Sequence, residues 1–194
     1  MSGRPLLAVF VGGKSRRMGT HKGLLEDPRS GLPILEHLVS LARDAALPVV
    51  LVGDAAPYDA LAEGVPRIPD EPRGAGPLAG LHAALRYARR ARRTHVIAVA
   101  CDMPFVSEEA LNEIVSHRSE AAVLAPRRAD DGPWEPMLAR YHAAALVDAL
   151  GAALAEGQRS FQQFFSSLEV EALPLSSAID HALRDWDTPD DIGA

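Results

Sequence analysis

The apolar run Leu6-Leu7-Ala8-Val9-Phe10-Val11 passes without a spacer into Gly12-Gly13-Lys14-Ser15-Arg16-Arg17-Met18-Gly19-Thr20-His21-Lys22-Gly23. A buried strand that ends in a glycine-rich, cationic loop points to an open α/β sheet, which binds its ligands at the carboxyl ends of its strands. Glycines let backbone N–H groups reach phosphate oxygens with no Cβ in the way, and Lys14, Arg16, Arg17 and Lys22 put four positive charges within nine residues. The chain as a whole carries a net charge of -6, so this cluster stands against an acidic background. A solvated surface turn is the plainer reading of a basic loop, and its place at the end of the first strand argues against it.

Beyond the loop, apolar runs alternate with amphipathic helical patterns, the signature of βαβ units and a mainly parallel sheet. Ile34, Leu35, Leu38, Val39, Leu41, Ala42 and Ala45 repeat at helical spacing, and Val49-Val50-Leu51-Val52 reads as a short buried strand. Ile68-Pro69-Asp70 is a weaker strand candidate, because Pro69 has no N–H to donate. The next helix carries Leu78, Leu81, Ala84, Leu85 and Ala88 on one face and ends in Arg89-Arg90-Ala91-Arg92-Arg93, where cations offset the helix dipole. His95 to Cys101 is a continuous β-branched run, as expected at the centre of a parallel sheet, and it ends at Asp102. Ala121 to Ala125 reads as a further strand, Arg127 to Pro136 as a polar loop beside the site, Trp134 to Tyr141 as a short strand segment, and Ala143 to Glu156 as a late helix. Phe161, Phe164 and Phe165 read as core.

A chain of 194 residues, 47% hydrophobic and 24% charged, suits one soluble globular domain spanning 1–194. No apolar run approaches the ~20 residues that cross a membrane, and no signal-peptide pattern opens the chain, so the expected location is the cytoplasm. The single cysteine, Cys101, fits a reducing compartment and reads as core. Net acidity and the lack of interleaved aromatic and basic residues argue against a nucleic-acid partner. The seven histidines show no metal-ligand spacing.

Three nucleotide-loop patterns compete for the N-terminal residues. A Walker loop needs a glycine at the position held by Ala8, and a dinucleotide fingerprint needs Gly-x-Gly-x-x-Gly where this chain has adjacent glycines and then Gly19. The third pattern fits: Phe10 to Gly19 followed by Lys22-Gly23-Leu24 resembles the nucleotidyltransferase loop of the molybdenum cofactor guanylyltransferases. The resemblance extends to the Asp70 segment, Gly76-Pro77-Leu78-Ala79-Gly80, Cys101-Asp102-Met103-Pro104-Phe105 and the Asp187-Thr188-Pro189 tail.

That resemblance implies a Rossmann-like three-layer domain of the nucleotidyltransferase fold. It also implies an activity, the joining of the phosphate of molybdopterin to the GMP moiety of GTP, with Mg2+ and release of pyrophosphate. It implies roles as well. Phe10, Val11, Gly12 and Gly13 would hold GTP through the backbone, Lys22 and Arg17 would contact its phosphates, Asp70 would touch the nucleoside, and Asp102 would bind nucleotide and metal. Arg17, Lys22 and Asp102 are thus the catalytic candidates. Asp187 is read as a helix cap, with metal ligation as the alternative. Beyond GTP and molybdopterin, other cofactor-biosynthesis proteins are candidate partners. Val11 in place of alanine, and His21 where aspartate is common, depart from the family pattern.

Two alternatives stay open on sequence grounds. One is a cytidylyltransferase acting on the same pterin, or another small-molecule nucleotidyltransferase, which would share the loop. The other is a nucleotide-binding regulator without turnover, which would have no need of a metal carboxylate at Asp102. A carboxylate at the tip of a central strand beside a cationic loop suits Mg2+, which prefers one or two carboxylates plus phosphate oxygens.

Overall fold

In β1 (Leu6–Phe10) every residue is buried, and successive side chains alternate between two separate cores. Leu7, Val9 and Val11 enter one core while Leu6, Ala8 and Phe10 enter the other, as the two-residue period of a strand covered on both faces requires. The computed structural model describes residues 4–11, 21–27, 30–69 and 76–184. β1 pairs in parallel with β2 (Val49–Val52) and β4 (His95–Ala100), and β2 pairs in parallel with β3 (Arg67–Ile68). The remaining strands are β5 (Val123–Ala125), β6 (Ala139–His142) and β7 (Val170–Ala172), giving a seven-stranded sheet in the order β3-β2-β1-β4-β6-β5-β7.

Helices cover both faces. α1 (Ile34–Asp44), α3 (Glu108–Ser116) and α6 (Ser177–Ala182) bury their apolar residues in the core that receives Leu7 and Val9. α2 (Pro77–Arg90), α4 (Ala143–Ala155) and α5 (Phe161–Phe165) cover the opposite face. This is the Rossmann-like three-layer arrangement expected from the sequence. α2 begins where Gly76, at φ 86°, turns the chain and Pro77 occupies the first helical turn, which explains the local order Gly-Pro. α3 is capped by Ser107, whose side chain accepts from Ala110 N at 3.2 Å.

The departures from expectation have local causes. The segment expected as a strand from Trp134 forms a continuous strand only from Ala139 to His142, after an isolated bridge at Trp134, and that strand runs antiparallel to both β4 and β5, the one such strand among the described residues. β3 stops at Ile68 because Pro69 cannot continue a ladder. β7 carried no readable signal: it is three residues long, and none of them is buried. The helix start expected near Asp187 lies outside the described residues.

Candidate active site

Three strand ends build the floor of the site. Val11 N donates to Val52 O at 2.9 Å and Cys101 N donates to Phe10 O at 3.0 Å, so the tips of β1, β2 and β4 are tied one residue beyond the regular ladders. Asp102 follows at the carboxyl edge, where open α/β sheets take their ligands. Its Oδ2 accepts from Lys22 Nζ at 2.9 Å, and both side chains are only partly exposed, 23% and 15%. Residues 80 positions apart therefore meet as an ion pair over the sheet edge.

Lys22 is delivered by a short 3-10 turn, Lys22–Leu24, that is anchored on both sides. Glu26 and Pro33 form an isolated bridge, Ile34 N donates to Leu25 O at 2.8 Å, and the fully buried Asp27 lies 3.8 Å from His37 Nδ1 and accepts from Ser30 Oγ at 3.2 Å. The turn rests on Tyr58, a buried side chain from the 3-10 turn after β2. Tyr58 also meets the ring of His21 edge-on with centroids 5.8 Å apart, and its hydroxyl lies 3.9 Å from Cys101 Sγ. One ring thus braces the residues beside Lys22 and the residue beside Asp102.

Gly23 is what lets the turn sit that close. A Cβ there would fall 2.9 Å from Tyr58 Cε1 and 3.3 Å from Cys101 Cβ, and both neighbours are buried. Gly23→Ala is expected to cost about 1–3 kcal/mol by overpacking and to raise the KM for a nucleoside triphosphate by displacing Lys22. Urea unfolding and nucleotide titration measure the two effects, and a variant unchanged in both would disprove the tight contact.

Burial pushes the Cys101 thiol up to about 11, with the Asp102 charge adding to the effect. Burial and the neighbouring Cys101 raise the Tyr58 hydroxyl well above its ordinary value. Both groups are neutral near pH 7, so the floor beneath the ion pair is uncharged and Cys101 is core rather than a nucleophile.

Of the residues expected at the site, the structure brings together Phe10, Val11, Lys22 and Asp102. Phe10 and Val11 are buried, 7% and 4% exposed, so only their backbone can face a ligand. Gly12, Gly13, Arg17, Asp70 and Asp187 lie outside the described residues. Sequence reasoning missed Tyr58, because nothing in Ala55-Ala56-Pro57-Tyr58 signals a contact with Gly23 and Cys101 far along the chain. Lys22 carries a compositional signal: only it and Lys14 are lysines among the 20 Lys and Arg residues. A compact ammonium is held against Asp102, where a guanidinium would be bulkier.

A mostly parallel sheet that presents an aspartate and a lysine together at its carboxyl edge, in a chain whose first strand is followed in sequence by a glycine-rich segment, points to the nucleotidyltransferase class. The model of the MobA-like NTP transferase domain matches residues 7–171. A probable molybdenum cofactor guanylyltransferase of Opitutus terrae is 32% identical over 192 residues, covering 95% of this chain and 91% of the relative. Among solved structures, molybdopterin-guanine dinucleotide biosynthesis protein A from Archaeoglobus fulgidus superposes with a TM-score of 0.76 at 27% identity, covering 97% and 95% of the two chains. The 2-C-methyl-D-erythritol 4-phosphate cytidylyltransferase of Thermus thermophilus shares the fold at a TM-score of 0.64 and 18% identity, covering 96% and 94%. The chain belongs to the MobA-like NTP transferases, within the molybdenum cofactor guanylyltransferase family.

Proposed function

We propose that this enzyme transfers GMP from GTP to the phosphate of molybdopterin, releasing pyrophosphate and forming the guanine dinucleotide of the cofactor. The observation that carries the reading is the Lys22–Asp102 pair, 2.9 Å apart at the carboxyl edge of the sheet. The acceptor is a phosphate monoester, largely dianionic near neutrality, so no residue has to generate a nucleophile. One acceptor oxygen forms a bond to the α-phosphorus of GTP, the bond from that phosphorus to the α–β bridging oxygen breaks, and the electron pair leaves with pyrophosphate. The chain's task is to bring two anions together and orient them. Lys22 neutralises charge on the triphosphate, the tips of β1 and β4 fix its position, and the uncharged Tyr58–Cys101 floor keeps Lys22 in place.

The donor set fits Mg2+. Asp102 would hold the ion together with phosphate oxygens, the sparse protein ligation that Mg2+ favours. Bound there, the ion would offset phosphate charge and stabilise the leaving pyrophosphate. No helix among the described residues is long and apolar enough to cross a membrane.

The test is a thermal-shift panel of the four nucleoside triphosphates with and without Mg2+. GTP with Mg2+ is expected to stabilise most, by about 2.7 kcal/mol at one hundred times its Kd. Equal or greater stabilisation and turnover with CTP would replace guanine by cytosine in this reading.

A further inference from the structure

The connection between β5 and β6 occupies 126–138, well beyond the roughly two to five residues usual in a hairpin, and loops of that length are commonly functional or unstructured. This one is firmly built. Arg127 and Trp134 form an antiparallel bridge, and Glu135 N donates to Pro126 O at 2.8 Å. The Gln162 side chain clasps the Trp134 backbone, accepting from its N at 3.0 Å and donating to its O at 2.7 Å. The Tyr141 hydroxyl donates to Pro136 O at 2.6 Å. Arg128 bonds Asp180 and Leu183 O, each at 3.1 Å, and pairs with Glu135 at 3.5 Å.

The hairpin stands on the same edge as Asp102. Antiparallel β6 separates β4 from β5, and the pairs Ala98↔Ala139 and Leu124↔Arg140 set Ala125 level with Ala98. Arg127 is therefore about level with the end of β4 and two strand spacings, about 10 Å, to its side. α6 walls the interval, since its Asp180 holds Arg128 while its His181 packs on Phe105 with ring centroids 4.7 Å apart. Phe105 follows Asp102 closely in sequence.

Arg127 is singular in this hairpin. Its guanidinium carbon lies 4.5 Å over the Trp134 ring, and Trp134 itself packs on the α2–α4 core. Among the described residues no carboxylate pairs with Arg127, whereas adjacent Arg128 takes two. We propose that Arg127, placed over the Trp134 ring, seats the flat pyrimidinone ring of the acceptor's pterin while the acceptor's phosphate reaches Lys22 and Asp102. The proposal rests on the acceptor assigned above. A guanidinium immobilised on an indole can stack a second planar heteroaromatic on its outer face and direct its fork to an oxygen or anionic sulfur of the ligand.

The experiment compares wild type with Arg127→Ala and Arg127→Lys in GMP transfer to molybdopterin, reading KM for each substrate separately. Arg127→Ala is expected to raise the acceptor KM about 10- to 100-fold, the loss of a charge-assisted contact, with the KM for GTP unchanged. Arg127→Lys restores charge without planarity and should recover only part of the loss. In a Trp186→Phe background Trp134 is the sole tryptophan, and molybdopterin should quench its fluorescence without GTP present. A folded Arg127→Ala that transfers GMP with an unchanged acceptor KM, whether or not its melting temperature falls, overturns the proposal and leaves the guanylyltransferase reading standing. Wild type that transfers no GMP to the pterin overturns both.

Discussion

Asp102→Asn is expected to fold normally and to lose turnover on the order of 100- to 1,000-fold, the cost of removing one electrostatic stabiliser of a transition state. The amide keeps the shape of the carboxylate and can still accept from Lys22, so the 2.9 Å contact survives in weakened form. The amide leaves the partly exposed Lys22 a hydrogen-bond acceptor, so the melting temperature should move little. What disappears is the anionic oxygen that would ligate Mg2+, for which an amide is a poor substitute. Single-turnover rates at saturating GTP and increasing Mg2+ make the measurement. A near-wild-type rate at high Mg2+ would remove Asp102 from the metal and leave it as a partner for Lys22 alone.

Tyr58→Ala should have the largest effect on stability of any change near the site, about 3–5 kcal/mol, as for other buried aromatics cut to alanine. Tyr58 is 1% exposed, its ring packs directly against Gly23, and its hydroxyl lies 3.9 Å from Cys101 Sγ. Removing it opens a cavity beneath the turn that carries Lys22, so the KM for GTP should rise together with the loss of stability. Tyr58→Phe keeps the ring and gives up the hydroxyl's contacts with Cys101 Sγ, at 3.9 Å, and with the Gly23 backbone, so it should cost about 1 kcal/mol and largely spare nucleotide affinity. The split between the two variants separates the bracing of the turn from the polar contact. Tyr58→Ala with normal affinity for GTP would show that Lys22 is positioned without it.

The family of this protein was legible in its sequence because the motifs that mark it are short contiguous segments. The strand-to-loop transition at Val11, the run ending at Asp102, and the spacing of Lys22 after the glycines are each readable without knowing what packs where. The order of strands and helices was legible for the same reason: alternating apolar runs and 3.6-residue periodicity are local consequences of burial on one or both faces. β4 is the clearest case, since a strand covered by helices on both sides must be apolar at nearly every position.

The tertiary structure decided whatever depends on pairing between distant residues. That β6 runs against its neighbours is set by the hairpin at 126–138, and a four-residue strand reads the same in either direction. That β7 exists at all depends on the neighbouring β5 ladder, because Val170-Glu171-Ala172 has too little apolar character to mark itself. Lys22 and Asp102 were each nameable from sequence, yet their meeting across 80 positions, and the Tyr58 ring that braces both, follow from the way the turn at Lys22 docks against β4. Sequence by itself determined which groups can act, since residue type sets charge and ligand chemistry. Folding determined which of them act together, because contact is a property of packing that no local pattern encodes.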